Sequence, residues 1–250
     1  TLPNSKDQLS WLAITGADTL RRKVDSVMTL IDSSNEAPYY SVTHKRLFQQ
    51  SKGRHARRYD FIASEGHLSA YDTIFMRCAK TIDWDWRLLA AIAYIESKFD
   101  HTQISSRGPI GLMQLMPATV RNLNYTVEEV IDPSVNVTVA VSLIDRIIKG
   151  LRRKLPEVNG KELIYFTIAS YNVGPGHVYD AINLAEELGY NPHIWYNNVE
   201  QCLRLKSDPK YYGMSVVKLG PCNGNFTINY LEEVLETYKG FCNAVPQKEE

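Results

Sequence analysis

The chain has 250 residues, 44% of them hydrophobic and 22% charged, which suits a folded globular protein and excludes a disordered one. Its 28 Lys and Arg cancel its 28 Asp and Glu, so it lacks both the basic excess of a nucleic-acid binder and a polybasic route to an anionic membrane. At about 150 residues per domain the length allows one large domain or one and a half smaller ones, and the longest apolar run, Leu88 to Ile95, falls short of the roughly 20 residues of a membrane span.

No signal peptide is visible, and an opening Thr1 in place of Met reads as a mature product or a fragment. Residues 9 to 16, LSWLAITG, suit a short strand. Asp18-Thr19 then opens an amphipathic helix with Leu20, Val24, Val27, Met28 and Ile31 at helical spacing. A lone strand and helix resemble the edge of a βα unit. From Ser33 to Arg58 the composition turns polar and basic, as in a linker or a surface crossing.

Beyond Ser64 the pattern is helical, with helices expected over 68–80, 86–98, 117–123, 136–150, 161–173, 177–188 and 227–238. Asp83 and Asp85 are placed to cap or charge the second, and Pro117 suits the first turn of the third. A short hairpin is expected around Tyr211 to Cys222, and there is no internal repeat. The fold class is therefore mainly α.

Cys78, Cys202, Cys222 and Cys242 form no CxxC pair, and neither they nor the six histidines show metal-ligand spacing, so no metal and no cofactor is expected. The thiols are either buried and free, as in a cytosolic protein, or paired in two disulfides, as in an exported one. For the second case, proximity favours Cys202 with Cys222, leaving Cys78 for Cys242. The Asn-x-Thr sequons at Asn124, Asn136 and Asn225 are at the level chance supplies.

The second helix reads DWRLLAAIAYIESKFD and is apolar nearly all round, which marks it as central and buried. Glu96 stands at its C-terminal end, where the helix dipole and apolar surroundings both disfavour the ionised form. That environment prepares a carboxyl to act as a general acid near neutral pH. A solvated helix-end Glu is the ordinary alternative. Downstream come Ser105-x-x-Gly108-x-x-Gly111-Leu112-Met113-Gln114 and then Tyr171-Asn172-x-Gly174-Pro175-Gly176. Glycines three apart permit positive φ and close approach to a ligand, and Gln114 offers the donor and acceptor that sugar hydroxyls and N-acetyl groups need. Taken singly, Met113 or Tyr171 suits core packing.

Together with Glu96-Ser97-x-Phe99, these clusters resemble the family 1 lytic transglycosylases, relatives of goose-type lysozyme. The resemblance covers about residues 65 to 240. It implies a lysozyme-like (SLT) helical domain over 65–242 with a tail at 243–250. It also implies that residues 1–35, through Trp11 to Ile31, are the remnant of a periplasmic-binding-protein-like domain, joined by a linker at 36–64. Carried over by position, Glu96 is the sole catalytic acid/base, Ser105, Met113, Gln114, Tyr171 and Asn172 line a glycan groove, and Tyr230 matches a late family tyrosine. Departures occur at His101, Gln103 and Ser170, and the glycine–glutamate pair expected before Tyr230 is replaced by GPCNGNFT.

The implied reaction cleaves the MurNAc-β-1,4-GlcNAc bond without water and leaves a 1,6-anhydroMurNAc end. One carboxyl suffices because the attacking hydroxyl belongs to the substrate, whereas ordinary glycosidases use two. The alternatives are a goose-type muramidase with water as acceptor and a non-catalytic glycan-binding module. The implied partners are peptidoglycan glycan strands, with no nucleic acid and membrane association only through segments outside this chain. The implied setting is a monomer in the periplasm, attached to the outer membrane in the full-length protein.

Overall fold

A computed structural model describes residues 66–104 and 108–246. The expected remnant at 1–35, the linker at 36–64, Ser105 and the end of the tail lie outside the described residues. Nine α-helices follow in chain order among those described: α1 Asp72–Ala79, α2 Trp86–Ser97, α3 Pro117–Asn122, α4 Pro133–Lys154, α5 Gly160–Val173, α6 Pro175–Leu188, α7 Glu200–Leu205, α8 Pro209–Tyr212 and α9 Gly224–Ala244. No strand occurs among them, only isolated bridge pairs of Ile110 with Ile104 and Leu115. No described helix is long and apolar enough to cross a membrane.

Helix α2 is the centre. Leu88 to Ala93 are buried without a gap, because α1 packs on one side and α9 on another. Asp85 caps it by accepting from the Arg87 N–H at 2.9 Å. Its far end is closed by two consecutive left-handed residues, Lys98 (φ 55°) and Phe99 (φ 63°). They turn the Phe99 ring back among Phe75 of α1, Tyr94 of α2 and Phe241 of α9. Helices α4, α5 and α6 pack in succession, and α9 also touches α5 and α7.

All seven expected helices are present, with bounds set by caps that hydrophobic spacing does not register. Helix α4 starts at Pro133, not at 136, because Asp132 accepts from the Ser134 and Val135 N–H groups. Helix α9 runs to Ala244 from an Asn223 cap. Asp83 does not cap α2; it occupies a left-handed turn before it.

The expected hairpin at Tyr211 to Cys222 is absent. Asp208 and Pro209 instead start the short helix α8. The Lys218 and Leu219 N–H groups donate to the Asp180 carboxylate at 2.8 and 2.9 Å, not to a partner strand. All four cysteines are free, which corrects both expected pairings. Cys78 faces Thr138 of α4, whereas Cys242 stands beside Tyr238. Cys202 is buried and its thiol is pushed up to about 12 by that burial.

Candidate active site

Glu96 is the penultimate residue of α2 and half-buried. The Tyr230 hydroxyl, from α9, donates to its Oε1 at 2.6 Å. Burial pushes the Glu96 carboxyl up to about 7, while the hydrogen bond from Tyr230 pulls it down. Near neutral pH the group therefore divides between acid and carboxylate, which is what a residue needs in order to give a proton and later take one. Burial, with the nearby Glu96 charge, holds the Tyr171 and Tyr230 phenols well above their ordinary range, so both remain protonated. Asp100 is exposed and committed to the Thr102 N–H and hydroxyl, whose hydrogen bonds hold its carboxyl low.

The segment from Ile110 to Leu115 is bound to α2 and α4 by side chains reaching its backbone. The Ser97 hydroxyl, one residue beyond Glu96, donates to the Leu112 carbonyl at 2.9 Å, sharing that proton with the Ala93 carbonyl at 3.1 Å. Asn136 of α4 accepts from the Met113 N–H and donates to the Ile110 and Val130 carbonyls. The Tyr171 hydroxyl donates to the Met113 carbonyl at 2.7 Å.

Gly111 is required here: its φ is +72°, and a Cβ would lie 2.4 Å from Asn136 Nδ2. Gly111→Ala should cost about 2 kcal/mol or more, seen in a thermal melt as a Tm roughly 5 °C lower. An unchanged melt would mean that the turn relaxes freely.

The expected site residues fall into distinct situations. Tyr230 touches Glu96 directly, and Tyr171 lies near enough to feel its charge. Asn172 is next to Tyr171, and its Oδ1 accepts from Thr227 of α9 at 2.8 Å, leaving its amide N–H groups turned away from that contact. Met113 has a fully buried side chain and contributes through its backbone. The Gln114 amide is used within the loop, donating to the Gln103 and Gly111 carbonyls at 3.1 and 2.9 Å. Ser105 lies outside the described residues.

Nothing in the sequence alone marks a role for Ser97 or Thr227, and Asn136 stands in a sequon of the kind that chance supplies. Asn136 is 0% exposed, which closes it to modification in the folded chain. Among the described residues no group of three or more His, Cys, Asp or Glu side chains could hold a metal ion.

The family described as Transglycosylase SLT domain matches residues 74–194. The chain is similar to the membrane-bound lytic murein transglycosylase F of Maricaulis maris (strain MCS10), 33% identical over 173 residues, or 69% of this chain and 36% of that protein. The protein of the same name from Vibrio campbellii (strain ATCC BAA-1116) is 30% identical over 200 residues, or 78% of this chain and 36% of that protein. The chain thus spans about a third of the length of these curated relatives. Among solved structures, the 70 kDa soluble lytic transglycosylase SLT70 from Escherichia coli aligns over 72% of this chain and 25% of that chain, at TM-score 0.49 and 21% identity.

Proposed function

We propose, for a chain that belongs to the transglycosylase SLT family through residues 74–194, cleavage of the MurNAc-β-1,4-GlcNAc bond of peptidoglycan without water, with Glu96 as the sole general acid/base. The observation that carries this reading is the state of Glu96: one enclosed carboxyl held at about 7, with a tyrosine hydroxyl donating to it. The protonated carboxyl gives its proton to the glycosidic oxygen as the C1–O bond breaks. The resulting carboxylate, steadied by Tyr230, removes the proton of the muramyl C6 hydroxyl. That oxygen then bonds to C1 and closes the 1,6-anhydro ring. Protons balance within the cycle, and an attacker already held in the substrate benefits from a high effective molarity.

The neighbours suit that task. The Tyr171 proton is committed to the Met113 carbonyl, so its oxygen is left to accept from a substrate N–H or O–H. Thr227 holds the Asn172 Oδ1, which leaves the amide N–H groups for sugar oxygens. Thr227→Val removes that hold at constant shape. It should raise KM for glycan strands about three-fold with kcat nearly unchanged, at a stability cost of about 1 kcal/mol. Steady-state kinetics with a melt measure both, and an unchanged KM would free Asn172 from this role. Ser105, Met113 and Gln114 complete the proposed groove, Met113 through its backbone. A periplasmic, membrane-associated location follows from the same reading, supported by relatives named membrane-bound, and we propose action as a monomer.

The test is the mass of the muropeptides released from purified sacculi. Anhydro ends are expected. Reducing ends heavier by one water would make the chain a hydrolase, and binding without turnover would make it a glycan-binding module.

A further inference from the structure

We infer that Asn136 is a positioning residue for this site, aiming the Tyr171 phenol through the Met113 carbonyl; the inference rests on the function just proposed. Asn136 is fully buried on α4, and its amide is engaged at both ends. Oδ1 accepts from the Met113 N–H at 2.9 Å, and Nδ2 donates to the Ile110 carbonyl at 3.0 Å and the Val130 carbonyl at 2.9 Å. One side chain thus grips the turn on its first and fourth residues, Ile110 and Met113, and ties it to the segment preceding α4. The absence of a Cβ at Gly111 makes room for the grip, since an added one would lie 2.4 Å from Nδ2.

The grip reaches the site through the backbone. With the Met113 N–H held and Gln114 fixed in the left-handed region at φ 46°, the direction of the Met113 carbonyl is set. That carbonyl takes the Tyr171 proton at 2.7 Å, and the phenol's acceptor lone pairs are thereby oriented. The Met113 side chain is itself 0% exposed, so the residue acts by its peptide groups.

A purely structural role for Asn136 predicts something else. Helix α4 has its own cap at Asp132 and its own buried face of Val137, Val139, Ala140, Val141, Ile144, Ile147, Ile148 and Leu151. It should persist without Asn136, and the damage should stay local.

A double-mutant cycle tests the link. Asn136→Ala should slow release of anhydromuropeptides about ten-fold or more in the wild-type background, but less than about three-fold in a Tyr171→Phe background. Equal losses in both overturn the proposal. Leu151→Ala, a destabilising control at the far end of α4, should lower Tm at least as much and leave the rate at 25 °C intact.

Two readouts keep the proposal decidable should Asn136→Ala unfold or the wild type be inactive on sacculi. Asn136→Asp keeps the acceptor for the Met113 N–H and, when protonated, regains one donor, so its activity relative to wild type should rise as pH falls; a flat ratio overturns the proposal. In protein labelled with 13C at the tyrosine Cζ, the Tyr171 resonance should move in Asn136→Asp and the Tyr230 resonance should stay. An unmoved Tyr171 signal overturns the link whatever the reaction proves to be, whereas an inactive wild type with a moving signal defeats the proposed reaction and leaves the link standing.

Discussion

Glu96→Gln should lower the release of anhydromuropeptides by about three orders of magnitude or more while leaving the helices in place. A positioned general acid or base contributes about 10²–10⁴-fold, and here one carboxyl serves both steps. Gln keeps the acceptor for the Tyr230 hydroxyl and the volume of Glu, so the loss belongs to the proton. Circular dichroism and product mass spectrometry on the same sample measure both halves. Residual release within ten-fold of wild type would move the acid/base role elsewhere.

The same variant carries a pH signature in stability. Burial raises the Glu96 carboxyl from 4.5 to about 7 in the folded chain. The neutral form thus contributes stability that is fully present below 4.5 and is lost as pH rises through about 7. The amide that replaces the carboxyl in the variant does not titrate. Glu96→Gln should therefore match wild type near pH 4 and exceed it near pH 8, by at most about 3 kcal/mol at 1.36 kcal/mol per unit, and by less because the side chain is partly solvated. Denaturant melts at the two pH values decide it, and a constant difference would contradict an elevated Glu96. In activity the alkaline limb should fall near 7, and Tyr230→Phe should move that limb to higher pH, because the lost hydrogen bond was pulling the carboxyl down.

The second large effect lies away from the reacting carboxyl. Asp180 of α6 and Lys206 form an ion pair at 2.8 Å with side-chain exposures of 3% and 0%. Lys206 also meets His177 Nδ1 at 3.0 Å. Burial pushes the Asp180 carboxyl up, but hydrogen bonds from Lys206 and the Lys218 and Leu219 N–H groups outweigh it and hold the group low. Asp180→Ala leaves Lys206 buried without its counter-charge and unpins the segment whose Leu219 covers Gly176. The expected cost is about 3–5 kcal/mol, or roughly 10 °C in Tm. Adding Lys206→Met should recover much of it, because the penalty is the unpaired charge. A single-variant loss under about 1 kcal/mol, or no recovery in the pair, would remove this network from the fold's stability.

What the sequence disclosed was local or periodic. The run Leu88 to Ile95 identified the central helix, and Asp85 and Pro117 stand where a cap and a first turn should. Glu96 was legible through the glycine-rich and Tyr171-Asn172 clusters that follow it, because an acid at a helix end is by itself ordinarily a solvated one. The partners that define its chemistry were harder to read, since they lie far along the chain: Tyr230 is 134 residues away, and Thr227 meets Asn172 across 55. Lys206 carries no sign in its own neighbourhood that its ammonium will be enclosed. Helices α7 and α8 are too short, at 6 and 4 residues, to express a helical period. The cysteines misled because an even count bears on pairing only if geometry brings the sulfurs together. Asn136 matched a modification signal while its amide was engaged in the core.

The left-handed pair that ends α2 separates two properties that are usually entangled in an enzyme. Phe99 is fixed by the rings around it, so its unfavourable backbone is the condition for turning the chain at that point. Lys98 is exposed, its ammonium 4.1 Å from the centre of the Tyr94 ring, a contact worth about 0.5–1 kcal/mol that offsets part of a left-handed cost of roughly 1–2 kcal/mol. An acidic replacement here keeps the left-handed cost and forfeits the ring contact, while it changes the sign of charge two residues from Glu96. Evolution, or a designer, has at that position a way to retune the acidity of the reacting group without redrawing the scaffold that holds it.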